Sequence, residues 1–109
     1  MNEIKNKNLA FDYARTLADE INRMAQAEDD EELRDYWISS LDEEFIVGAN
    51  KKYKYARILV TAGGPTAWIN TLTGNIECYW GMSEATYPIS ETARELLDEW
   101  SRDYYEMEE

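Results

Sequence analysis

Apolar positions along this chain keep a helical period at both ends and a period of two in the middle. From Asn8 to about Ala27, Leu9, Ala10, Tyr13, Ala14, Leu17, Ile21 and Met24 share one arc when residues are stepped at about 100°. Asp12, Arg15, Asp19, Asn22 and Arg23 fill the opposite side, and Asn8 is placed to cap the first turn. Phe11 lies off this stripe, so either the helix starts later or the ring meets something else. A second helix is expected to begin at Asp29 or Asp30, with Glu31 and Glu32 in the first turn, where the helix dipole favours negative charge. Leu33, Tyr36, Trp37, Leu41 and Phe45 make its buried stripe, and it ends near Ile46, Val47 and Gly48. Ser90 caps a third helix running to about Met107. Ala93, Leu96, Leu97, Trp100, Tyr104 and Met107 lie on one side of it.

Between the second and third helices the period falls to two. Tyr55 to Ala62 reads as a strand and is stopped by Gly63, Gly64 and Pro65. Thr66 to Leu72 reads as a second, reversed at Thr73-Gly74-Asn75, and Ile76 to Trp80 as a third. Alternation in the third strand puts Ile76, Cys78 and Trp80 on one face and Glu77 and Tyr79 on the other. Met82 to Pro88 reads as a connector. The expected fold is α+β: a three-stranded antiparallel sheet with about three amphipathic helices packed mainly on its apolar face.

Composition adds limits. The 109 residues form one expected domain, 1–109, and 14 aromatics argue for a packed core despite a low mean hydropathy. No apolar run is long enough to span a membrane, and the N-terminal stretch lacks the apolar region of a secretory signal. The single cysteine, Cys78, has no partner for an internal disulfide, which suits a cytoplasmic protein. Its inward place beside Ile76 and Trp80 marks it as a small buried hydrophobe.

Charge changes the picture most. The formal net charge is −12, and it is unevenly spread: residues 28–44 carry −8, residues 84–109 carry −7, and residues 45–83 carry +3. The one basic cluster, Lys51, Lys52, Lys54 and Arg57, is too small to favour direct nucleic-acid binding and is placed to pair with the acidic helices. The absence of histidine excludes Ser-His and Cys-His nucleophile pairs and histidine zinc sites. The Gly63-Gly64-Pro65 turn joins two strands and lacks the remainder of a phosphate loop. The acidic run fits no calcium-loop spacing, so no enzyme, cofactor or metal site is expected.

Solubility alone is the ordinary reason for charged helix faces. Yet the Glu91, Glu95, Glu99 and Asp103 ridge sets like charges four residues apart, an arrangement that costs a helix stability. A basic partner would supply a reason for it. The central segment ARILVTAGGPTAWINTLTGNIECYWG resembles one found in small proteins of phages and mobile elements. Some proteins from that source are anti-CRISPR or other anti-defence inhibitors. The resemblance implies a non-catalytic inhibitor acting in the host cytoplasm, its partner a basic nucleic-acid-binding protein such as a CRISPR effector or another defence nuclease.

The charge pattern suits such a partner. Carboxylates on neighbouring turns lie about 6 Å apart along a helix, sparser than the phosphates of one DNA strand, but a face several residues wide approaches a duplex. Asp29, Asp30, Glu31, Glu32, Asp35, Glu91, Glu95, Asp98, Glu99, Asp103 and Glu106 are the expected partner-binding residues, with the mechanism of a DNA mimic. Tyr105, off the apolar arc of its helix, joins them as a surface aromatic. The alternative is an interaction module or adaptor that binds through surface aromatics, its acidity serving only solubility. A monomer and a homodimer are both compatible with the pattern.

Overall fold

The computed structural model describes residues 8–108. Three helices, α1 (Leu9–Ala25), α2 (Glu31–Ile38) and α3 (Glu91–Glu108), surround five strands in the chain. The strands are β1 (Asp42–Val47), β2 (Tyr53–Thr61), β3 (Thr66–Asn70), β4 (Asn75–Trp80) and β5 (Ser83–Pro88). They form one antiparallel meander in the order β1-β2-β3-β4-β5. The α+β class holds, and the sheet has two strands more than expected.

Both extra strands lie at the edges. The second helix was expected to reach Phe45 and beyond, but α2 stops at Ile38 and the chain turns through Ser39 and Ser40. Leu41 N donates to Leu59 O at 2.8 Å, and β1 then pairs with β2. The Asp-Glu-Glu start looked like helix surface; the Phe45-Ile46-Val47 end, with its β-branched pair, decides for strand. At the other edge, Met82 to Pro88 is a strand and no connector. Trp80 pairs with Ser83 across a two-residue turn in which Gly81 has φ 62°. A positive φ at the first turn position alone is the pattern of a type II′ hairpin, whose twist matches the strands it joins.

Alternation sorts the sheet into two faces. Ala56, Ile58, Ala67, Ile69, Ile76 and Cys78 point to one side and are buried. Glu77 and Tyr79 point to the other, as the spacing predicts. Helices α1 and α3 pack on the first face, and α2 packs on α1 with Leu33 buried. Helix α1 lies on β4 and β5 through a stripe of Ala10, Ala14, Ala18, Ile21 and Met24. Its small side chains let it approach closely, while Leu9 stays exposed. Phe11 meets Tyr87 edge-on at 5.5 Å, which accounts for its place off the stripe. Asn8 caps α1 by accepting from Phe11 N at 3.0 Å. Helix α3 crosses β2 with Ala93, Leu97 and Trp100 buried. Ile21, Leu33, Ile58, Ile69, Ile76 and Leu97 are fully enclosed, each worth about 1.5–3 kcal/mol of burial.

The helix-free face is held by an arginine. The Arg57 guanidinium sits 4.3 Å over the Trp68 ring, with Glu44 at 3.0 Å and Glu77 at 3.1 Å. Arg57, on β2, therefore reaches β1, β3 and β4 and pairs with sheet carboxylates, where pairing with the acidic helices was expected. Lys51 and Lys52, at the β1–β2 turn, and Lys54, at the start of β2, form no ion pair among the described residues.

Candidate partner-binding surface

Helix α3 is longer than the sheet face it covers. Its apolar stripe continues to Tyr104 and Met107, which stay 43% and 74% exposed. Helix α2 ends early on the neighbouring side, leaving Ile38 and Leu41 exposed as well. Between these two helix ends, the helix-facing side chains of β1 form the floor of a cleft. Trp37, Ile38, Ser40, Asp42, Glu43, Phe45 and Tyr104 enclose about 560 Å³, within the range of small-ligand or side-chain pockets.

The walls are aromatic. Trp37 meets Tyr104 at 6.3 Å and Trp100 at 5.9 Å, and Phe45 meets Tyr104 at 6.0 Å and Tyr105 at 5.4 Å. Glu43 stands among them because strand alternation puts it opposite Ile58, on the inner face. One of its oxygens, Oε2, accepts from Ser101 Oγ and from Trp37 Nε1. Burial pushes its carboxyl pKa up, and the two donors only partly oppose that. The other oxygen, Oε1, accepts no hydrogen bond among the described residues. No buried side-chain polar atom among those residues lacks a partner, so Oε1 reaches the solvent. A second cleft of about 290 Å³ shares Trp37 and Tyr104 and adds Arg34, Glu99, Trp100, Asp103 and Met107. There the Arg34 guanidinium lies 4.9 Å over Trp100.

The expected binding residues divide into three groups. Glu95, Glu99, Asp103 and Glu106 are exposed on α3 and form no ion pair among the described residues; Glu99 and Asp103 line the smaller cleft together with Arg34 of α2. Exposed Glu31 and Asp35 are likewise without an ion pair. Others are occupied locally. Asp29 accepts from Glu31 N at 3.1 Å, whereas the half-buried Asp30, at the α2 N-cap, makes no side-chain capping bond. Glu32 turns to α1 and pairs with Arg23 at 3.1 Å, while Glu91 pairs with Arg94 at 2.6 Å.

Asp98 and Tyr105 take inward-facing roles that the helical wheel hid. Asp98 Oδ1 accepts from Tyr53 Oη at 2.7 Å and from Thr71 Oγ1 at 2.8 Å, and Oδ2 pairs with Arg102 at 3.0 Å. Its side chain is 14% exposed, so it braces α3 to the sheet. Tyr105 packs on Phe45 and Tyr53 and donates to Lys51 O at 2.9 Å, which ties α3 to the β1–β2 turn. Glu43, Trp37, Phe45 and Tyr104, by contrast, were not singled out as a site. The signal that could have found them is the Ser39-Ser40 break followed by alternating Glu43 and Phe45.

Among the described residues, no helix is long and apolar enough to cross a membrane. No group of three or more potential metal ligands comes together among them. In comparisons with known proteins, the chain matches no family model, no curated sequence and no solved structure.

Proposed function

We propose that this is a non-catalytic inhibitor that binds a basic surface of a nucleic-acid-handling protein and blocks its nucleic-acid site. The observation that carries the reading is the row of exposed carboxylates on α3, Glu95, Glu99, Asp103 and Glu106, which form no ion pair among the described residues and lie beside the aromatic clefts. Asp42 and Glu43 add charge on the β1 side, against Arg34 alone among the cations lining the two clefts. Such a surface steers a positive partner and offers it apolar rings once it has arrived. DNA mimicry is the mechanism this layout favours. A CRISPR effector or another defence nuclease is the first partner to try, on the strength of the phage-like central segment.

The test is capture of a defined nuclease complex by the tagged protein, with Glu95→Lys, Glu99→Lys and Asp103→Lys combined as the variant. Affinity is expected to fall at least about 30-fold in the variant, and high salt or excess duplex DNA should displace the wild type. Undiminished binding by the variant would overturn the reading. The exposed apolar side chains of Ile38, Leu41, Tyr104 and Met107 favour a second reading, an interaction module whose affinity is apolar. Capture that survives high salt and the triple reversal, but not Tyr104→Ala, decides for that one.

A further inference from the structure

We infer that the cleft between α2, β1 and α3 receives an arginine side chain of the partner; this rests on the basic-partner reading and names the group that enters. The protein's own arginines display the chemistry. Arg57 lies over Trp68 with its guanidinium between Glu44 and Glu77. Arg102 lies 5.4 Å over Tyr53 and pairs with Asp98. In each case a ring face supports the guanidinium and a carboxylate accepts from its edge. The cleft presents the same parts without a cation: Trp37, Phe45 and Tyr104 as ring surfaces and Glu43 as the acceptor.

The occupant follows from what each alternative leaves unsatisfied. An apolar side chain would cover the open Glu43 oxygen and strip its water without replacing it, at a cost burial already begins to impose. A lysine ammonium is compact and strongly hydrated, so three flat walls offer it less than they offer a guanidinium. An arginine lays its plane on a ring and directs its donors at Glu43. Glu43 Oε2 is already engaged by Ser101 and Trp37, which hold the carboxylate in place with Oε1 open to the incoming donor.

Capped hexa-arginine and hexa-lysine peptides are the probes, titrated at equal ionic strength while the Trp37 indole N–H resonance is followed. Hexa-arginine is expected to bind about fivefold more tightly or better and to shift that resonance. Glu43→Gln keeps the shape and the acceptor for Ser101, and should abolish the arginine preference while leaving hexa-lysine within about threefold. Tyr104→Leu, which removes one wall at an exposed helix position, should reduce the preference too. Equal binding of the two peptides with Trp37 unmoved overturns the arginine cleft and leaves the acidic surface standing. A preference that persists in Glu43→Gln overturns it as well. Binding of neither peptide at low salt overturns both readings together.

Discussion

Replacing Asp98 with alanine separates a structural carboxylate from a binding one. The substitution removes the acceptor of two hydrogen bonds, from Tyr53 and from Thr71. Thr71 is fully buried, and its hydroxyl already accepts from Ala56 N at 2.9 Å, so the lost partner leaves its proton facing no acceptor. Hydrogen bonds to a charged group are worth about 1.5–3 kcal/mol each, toward the lower end where water has some access. Tyr53 is half-buried and can recover part of its share from solvent. The expected loss is about 2–4 kcal/mol, a large fraction of the ~5–15 kcal/mol that holds a domain together. In a chain of this size that lowers Tm by roughly 10–20 °C. Asp98→Asn is the informative control. Both hydrogen bonds go to the same oxygen, Oδ1, which an amide retains, so its loss should be near ~1 kcal/mol. Urea and thermal unfolding measure both, with Glu95→Ala on the exposed face of the same helix staying within ~0.5 kcal/mol. If Asp98→Ala were no worse than Glu95→Ala, the brace between α3 and the sheet would be wrong.

Two further outcomes follow from buried charge. Burial raises the Glu43 pKa, so the folded chain holds that proton more tightly than the unfolded chain does. The stability this contributes is complete in acid and is lost as pH rises past the unfolded value through the folded one. Glu43→Gln should therefore be more stable than wild type at neutral pH, the gain closing toward pH 4; a gain that is constant with pH would contradict it. Arg57→Lys keeps the charge but gives up the fork between Glu44 and Glu77 and the plane over Trp68. A loss of about 1–2 kcal/mol is expected by thermal unfolding, and a neutral result would remove the arginine from its place as the clasp of the open face.

Much of this architecture is written in local periods. The helical stripes locate α1 and α3 within two residues, and the alternation of Ile76, Cys78 and Trp80 gives the inner face of β4. The misses lie where local pattern and tertiary pairing disagree. Asp42-Glu43-Glu44 reads as helix surface until β2 is there to pair with it, since an edge strand owes its state to its neighbour. Asp98 falls on the polar side of its helix, and only the approach of Tyr53 and Thr71 turns it inward. The cleft was invisible for the same reason: its floor belongs to β1 and its walls to two helices distant in sequence. The exposed acids of α3 were legible, because a charge on a solvated face needs no partner to be placed there.

The meander imposes an order on synthesis. Hairpins β1–β2, β2–β3, β3–β4 and β4–β5 can each pair once the later strand is made, because every pairing joins neighbours in sequence. Helix α1 has no such luxury. It is made first, and the strands it rests on, β4 and β5, are complete only at Pro88. At translation rates of about 5–20 residues per second, the 63 residues between Ala25 and Pro88 take roughly 3–13 s. For that interval the apolar side of α1 has no sheet to cover it, and four of its six buried positions are alanine. A leucine-rich stripe would present nascent chains with a surface on which to aggregate. The alanines give the waiting helix little to stick with, and still let it close tightly on the finished sheet.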